Sequence, residues 1–222
     1  PEQGTHFWVI NRHSGELVGR YEADPFFAFH HVNAFERGEE LVIDIDAYDD
    51  PSILDAWYLD RMEQGEKELP FGQLRRYTLP LRGTRADYHL IADDCIELPR
   101  FDYERYNMRG DYRFVYGVSI NPAGPRWFYD QLVKINVQSG DSVTWYEPNC
   151  YPGEPVFVPA LDQKREDTGV ILSVVLDSSQ GNSFLLILDA TSFSEIGRAE
   201  IPHPVLFGYH GAFFDESNEL EV

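Results

Sequence analysis

Apolar positions along this chain fall in short runs rich in Val, Ile, Phe and Tyr: "HFWVI", "ELVIDIDAY", "LRRYTLPL", "YRFVYGVSI", "QLVKINV", "SVTWYEP", "EPVFVPA", "GVILSVVLD" and "SFLLILDA". Turn signals separate them, among them "RHSGEL", "VQSGDS" and "SSQGNS". β-Branched and aromatic runs bounded by Gly, Ser and Asn predict strands. "KINVQSGDSVTWYEP" predicts a hairpin, with Gly140 in the positive-φ position of its turn. Only "SILDAWYLDRMEQGEKE" has helical spacing, with Ile53, Leu54, Trp57, Tyr58 and Met62 on one apolar side. The pattern therefore predicts an all-β protein with one short helical insertion.

Many short strands suggest a sandwich, a barrel or a propeller. No exact repeat decides between them. Yet His30, Glu97, Glu154 and His210 are separated by 67, 57 and 56 residues, close to or somewhat above the roughly 50 residues of one propeller blade. Each sits in an apolar or proline-flanked context: "AFHHV", "CIELP", "PGEPV" and "FGYHG". A propeller brings equivalent positions of its blades to one axis, so polar residues at this spacing can converge on a metal site.

Length and charge narrow the class. The 222 residues suffice for one domain with a sizeable core. The chain begins on Pro1, its residues Thr5–Ile10 already read as a strand, and it closes on the polar "DESNELEV". These features are expected of the C-terminal part of a longer protein. No apolar run approaches the roughly 18 residues of a membrane span. Lys and Arg total 18 against 38 Asp and Glu, a formal charge of −20, and the lysines are Lys67, Lys134 and Lys164. Such a surface repels phosphate backbones and argues against nucleic acid as a partner. An acidic, lysine-poor composition spread along the whole chain suits a high-salt cytoplasm and points to a halophilic source. Cys95 and Cys150 are too few for a disulfide framework, which agrees with a cytoplasmic location.

Four segments together carry a resemblance. "FFAFHHVNAFE" resembles the Phe-His-His-x-Asn-x-aromatic-Glu segment of the carotenoid cleavage oxygenases, and "CIELPRFDYERYNMRGDYRFVYG" resembles their Glu-x-Pro-Arg segment. "WYEPNCYPGEPVFVPA" and "FLLILDATSFSEIGRAEIPHPVLFGYHGAFF" are similar to the C-terminal end of the same family, in the same order. The family includes the vertebrate retinoid isomerase and the β-carotene oxygenases, and the resemblance to that branch runs over essentially all of residues 1–222.

The resemblance implies a seven-bladed β-propeller, of which this chain supplies the C-terminal portion, about four blades. It implies iron(II), Fe(2+), held on the axis by four histidines, with three glutamates bonding the outer nitrogens of three of them. By motif, His30 and His210 are expected metal ligands and Glu97 and Glu154 expected outer carboxylates. The other two histidines and the third glutamate are expected upstream of Pro1. His6, His13, His89 and His203 match no ligand motif. Neutral imidazoles suit iron(II) and leave positions open for dioxygen, and each glutamate would accept Nδ1–H and leave Nε2 to the metal. Carboxylate-to-Nδ1 distances within about 3.2 Å are expected for both pairs. Phe29 is expected to wall a tunnel for a long apolar polyene. Strand alternation turns His31 away from His30, toward packing or hydrogen bonding. Phe207 and Tyr209 are candidates for the tunnel or for core packing. The acids Asp44, Asp46, Asp49 and Asp50 lack calcium-loop spacing and read as a solvated loop.

The expected function is an iron(II)-dependent dioxygenase that cleaves a conjugated double bond of a carotenoid, β-carotene to retinal foremost, or of an apocarotenoid. Alternatives are a retinoid isomerohydrolase, a stilbene-cleaving oxygenase of the same fold, and a non-catalytic propeller binding module. Peripheral membrane contact would come through the portion expected upstream.

Overall fold

The computed structural model describes residues 4–64, 69–124 and 127–214. They form four antiparallel sheets that follow one another along the chain. The first is a two-stranded ribbon, β1 (Thr5–Ile10) with β2 (Leu17–Ala23). The second is a four-stranded meander of β3 (Phe27–Arg37), β4 (Glu40–Tyr48), β5 (Gln73–Pro80) and β6 (Asp87–Cys95). The third repeats that order with β7 (Glu97–Arg100), β8 (Phe114–Ser119), β9 (Gln131–Asn136) and β10 (Ser142–Tyr146). In the fourth, β11 (Cys150–Pro152) and β12 (Val156–Pro159) are two halves of one interrupted strand. Both pair with β13 (Gly169–Asp177), which is followed by β14 (Asn182–Asp189) and β15 (Ser194–Ile201). Helices α1 (Ser52–Ala56) and α2 (Leu59–Gln64) lie between β4 and β5, and α3 (Tyr103–Tyr106) lies between β7 and β8.

Sheets stack face to face, and each neighbouring pair encloses its own core. Tyr21, Ile45, Tyr77 and Leu79 fill the space between the ribbon and the second sheet. Val42, Leu74, Ile96, Val115 and Ile135 fill the next gap. Tyr116, Leu132, Ile171, Phe184 and Leu186 fill the one after, with Ile53 of α1 added. A sheet covered on both faces needs apolar side chains on both, which is why β4 reads as a near-continuous apolar run. β13 reads the same way, but only its Ile171 and Val175 face is buried, and Val174 on the other face is 40% exposed. The predicted hairpin is β9–β10, and Gly140 turns it with φ 79°.

Ionic contacts also cross the gaps. Lys134 of β9 is buried, donating to Asp167 at 2.9 Å and to the carbonyls of Ala190 and Thr191 at 2.7 and 3.1 Å. Its ammonium also lies 4.2 Å from the centre of the Phe114 ring. Asp44 receives Nε of Arg76 at 2.7 Å and the hydroxyl of Tyr112, so it joins the second sheet to the third.

Three expectations change. Asp44 and Asp46 are not loop residues; both are wholly buried in β4, and only Asp49 and Asp50 are exposed. Alternation places Asp44 and Asp46 on the Val42 and Tyr48 face of β4, toward the third sheet. The single helix is two short ones, with Ile53 buried but Leu54 and Tyr58 exposed, and its expected end at residues 65–68 lies outside the described residues, as does the polar tail at 215–222. Strands β2, β6 and β15 went unrecognised because their residues are largely solvated and polar. Both cysteines are free. No helix among the described residues is long and apolar enough to cross a membrane.

Candidate metal centre

The expected site residues share a local device. His30, Glu97 and Glu154 all lie where the first strand of a meander loses its regular pairing. In β3, His30 pairs with Asp46, and the register shifts on both sides of the His30–His31 pair. In β7 the register shifts between Glu97 and Arg100, and Leu98 takes φ 49°. Glu154 sits in the break between β11 and β12, where the Gly153 amide still donates to the Val174 carbonyl at 2.9 Å. A bulge frees a side chain from the pleat and re-aims it. Here each re-aimed side chain comes from the edge strand that opens its sheet. His210 comes from the irregular segment after β15.

The four side chains meet in pairs. His30 Nδ1 lies 2.7 Å from Glu97 Oε2, and His210 Nδ1 lies 2.9 Å from Glu154 Oε1. The two imidazoles are 5.2 Å apart between ring centres and nearly perpendicular, at 86°. Glu97 Oε2 also accepts the Leu98 amide, while its Oε1 accepts the Tyr48 hydroxyl at 3.3 Å. Burial opposes ionisation of Glu97, but the hydrogen bonds it accepts, that from His30 first, hold its pKa below the ordinary value. Glu154 Oε2 accepts the Gly211 amide at 2.7 Å, and Arg100 approaches its Oε1 at 3.5 Å.

A third acid was not anticipated. Asp46 is fully buried beside His30 and Glu97. Its carboxyl oxygens meet no N–H or O–H donor among the described residues, and the hydrogen bond open to it is the one a protonated Asp46 makes to Glu97. Burial, then the neighbouring Glu97 charge, pushes its pKa well above the usual carboxylate range. Gly72 leaves the room for it, since a Cβ there would fall 2.0 Å from Asp46 Oδ1.

Beside His30 opens a cavity of about 400 Å³ lined by Phe29, Trp57, Tyr129, Phe207 and Tyr209 among others. Phe29 stacks on Trp57 at 5.4 Å and 8°. Phe207 and Tyr209 are 50% and 71% exposed, so core packing does not describe them. His31 lies outside this cavity and lines another with Val32, Pro99 and Arg100. His6, His13, His89 and His203 are exposed. Sequence reasoning missed Asp46, Tyr48, Trp57 and Tyr129. Asp46 reads as loop polarity, Trp57 as part of a helix's apolar side and Tyr48 as the end of a strand, and no motif marks any of them or Tyr129.

The donor set fits a divalent metal. Both imidazoles engage a carboxylate through Nδ1, and Nε2 of neither has a hydrogen-bond partner among the described residues. Two buried carboxyl groups clustered with His30, those of Glu97 and Asp46, favour a cation nearby.

Stacked antiparallel meanders whose opening strands send His30, Glu97 and Glu154 to one place, met there by His210 from the segment after β15, define a class, the β-propeller with a polar centre at its inner edge. The sequence profile of the RPE65 family (retinal pigment epithelial membrane protein) matches residues 1–215, and the chain belongs to this family. It is 35% identical to a carotenoid isomerooxygenase of Galleria mellonella, over 99% of this chain and 45% of that protein. It is 30% identical to the β,β-carotene 15,15′-dioxygenase of Gallus gallus, over 98% of this chain and 46% of that protein. Among solved structures, an ACO/RPE65 chimera superposes with a TM-score of 0.84 at 26% identity, over 96% of this chain and 44% of the other. Cobalt-substituted Synechocystis ACO gives 0.81 at 26% identity, over 92% of this chain and 42% of the other. The chain spans about half the length of the curated relatives it matches.

Proposed function

We propose that this chain forms the C-terminal portion of a single propeller domain in an iron(II)-dependent dioxygenase. The enzyme splits a conjugated double bond of a carotenoid or apocarotenoid into two carbonyl products, with β-carotene to retinal favoured. One observation carries the reading: two imidazoles, each oriented by a carboxylate, face one another beside an aromatic cavity. The names of the relatives in Galleria and Gallus agree with it.

His30 and His210 would hold the iron through Nε2, together with histidines from outside this chain. Iron(II) bound there supplies the activation of dioxygen. Glu97 and Glu154 keep each Nδ1 protonated and each ring at a fixed angle, and their charge offsets that of the metal. Phe29 and Trp57 present apolar faces to the polyene and exclude water from the reacting bond. The enzyme would act in the cytoplasm, in a high-salt cell given its acidic composition, and meet its apolar substrate at a membrane surface.

The test uses the full-length protein loaded with iron and supplied with dioxygen. Loss of polyene absorbance and formation of aldehyde are followed for carotenoids, apocarotenoids and stilbenes. His30→Ala and His210→Ala are each expected to abolish cleavage, while His31→Ala keeps most of it. Activity in His30→Ala but not in His31→Ala would reverse the choice of ligand. A wild-type protein that binds iron yet cleaves none of these substrates would leave a binding module.

A further inference from the structure

Glu97 Oε1 is held by a side chain rather than by backbone, and that side chain leads back to the cavity wall. Tyr48, at the end of β4, places its hydroxyl 3.3 Å from Glu97 Oε1. The Tyr129 hydroxyl lies 3.1 Å from that of Tyr48. The direction of this chain follows from proton count. An ionised carboxylate can only accept, so the single proton of Tyr48 goes to Glu97 and Tyr129 must donate to Tyr48. Both phenols are buried, and burial raises their pKa values, so they remain donors at any working pH. Hydrogen bonds in series polarise one another, which strengthens the final bond to Glu97. On the other oxygen, Glu97 fixes Nδ1 of His30. The ring of Tyr129 also forms part of the cavity wall with Phe29 and Trp57, and the Trp57 and Tyr129 rings meet edge to face at 6.2 Å.

We propose that Tyr48 and Tyr129 are positioning residues for the metal centre, a two-hydroxyl relay that locks Glu97 and through it the ring of His30. The relay rests on the reading of His30 as a metal ligand, but not on the identity of the substrate. It has no counterpart at Glu154, whose second oxygen takes a backbone amide. Tyr129 contributes only through Tyr48, whereas Tyr48 acts on Glu97 directly.

The test measures metal affinity of the full-length protein by chelator competition, and records the visible ligand-field spectrum of its cobalt(II) form. Tyr48→Phe keeps the ring and its packing, and is expected to weaken affinity about tenfold and to shift the cobalt spectrum. Tyr129→Phe is expected to weaken it less, by about threefold. The double variant should match Tyr48→Phe within about twofold, because residues acting in series are not additive. Wild-type affinity and spectrum in Tyr48→Phe, or additive losses in the double variant, would overturn the relay. Should Tyr48→Phe fail to fold, Tyr129→Phe decides alone: lowered affinity with an unchanged apo melting temperature supports the relay, and unchanged affinity refutes it. A wild type that binds metal but cleaves no polyene would sink the proposed function and leave this affinity series standing.

Discussion

The two histidine–glutamate pairs are the same chemical unit built in two ways. His30 and Glu97 belong to strands, and their side chains are 22% and 1% exposed. Glu97 is held by its own neighbouring amide, by Tyr48 and by His30, so the packed interior fixes the acid and the acid fixes the ring. His210 and Glu154 reverse this order. Glu154 is buried at 5% side-chain exposure, but His210 is 57% exposed on a segment without strand pairing. One carboxylate there receives both the His210 ring and the adjacent Gly211 amide, so the acid clasps a piece of chain rather than a single side chain. The first pair is pre-organised by the core, and the second organises its own loop.

Gly72→Ala should separate the two pairs most sharply. The new Cβ would meet Asp46 Oδ1 at 2.0 Å and the Ile96 carbonyl at 2.7 Å. Overpacking of that kind is expected to cost about 3 kcal/mol of stability. Thermal melts measure it, and a melting temperature within a degree of wild type would show that the buried half is not rigid. The glutamine variants come next. Glu97→Gln and Glu154→Gln are each expected to lower metal affinity about tenfold or more. Glu97→Gln should also destabilise the apo protein, by about 1–3 kcal/mol, because its buried amide N–H₂ is forced toward donors held by the core. Glu154→Gln should cost less, because its donors His210 and Gly211 sit on a segment without strand pairing that can shift. Equal melting temperatures for the two variants would erase the distinction between core-built and loop-built halves.

Asp46→Asn sharpens the electrostatic side. The folded pKa of Asp46 is raised above its ordinary 3.8. Below that value both states are protonated and Asp46 carries no penalty. As pH rises past it, the unfolded chain ionises while the folded one does not, and stability falls until the folded pKa is passed. Asp46→Asn is therefore expected to stabilise the apo protein by about 1 kcal/mol at pH 8 and to give no gain near pH 3. Denaturant midpoints at the two pH values check this, and a pH-independent difference would refute it. Gly211→Ala should do least. Its nearest neighbour would be Val156 Cγ2 at 3.8 Å, and a change within about 0.5 kcal/mol is expected.

The contrast also separates what the sequence makes legible from what it hides. Strands with apolar side chains on both faces, such as β4 and β13, show their bounds almost residue by residue. The outermost strand β15 is solvated over most of its length and carries no such signal. Motif resemblance named His30, Glu97, Glu154 and His210, and the structure brings them together in the expected pairs. It was blind to Asp46, because an acid in "DIDAYDD" looks like loop polarity until the third sheet covers it. Tyr48 and Tyr129 were equally hidden. They are 81 residues apart, and only docking of the second sheet against the third brings their hydroxyls into contact.

Lys134 gives the stack an unplanned reporter. Its amine is enclosed by Asp167 and two carbonyls from the fourth sheet, whereas Lys164 is exposed. An acylating reagent can reach the first only when those neighbouring sheets part, yet reaches the second at all times. The ratio of label on the two lysines, read by mass spectrometry, is thus a clock for blade separation, with Lys164 as its internal standard.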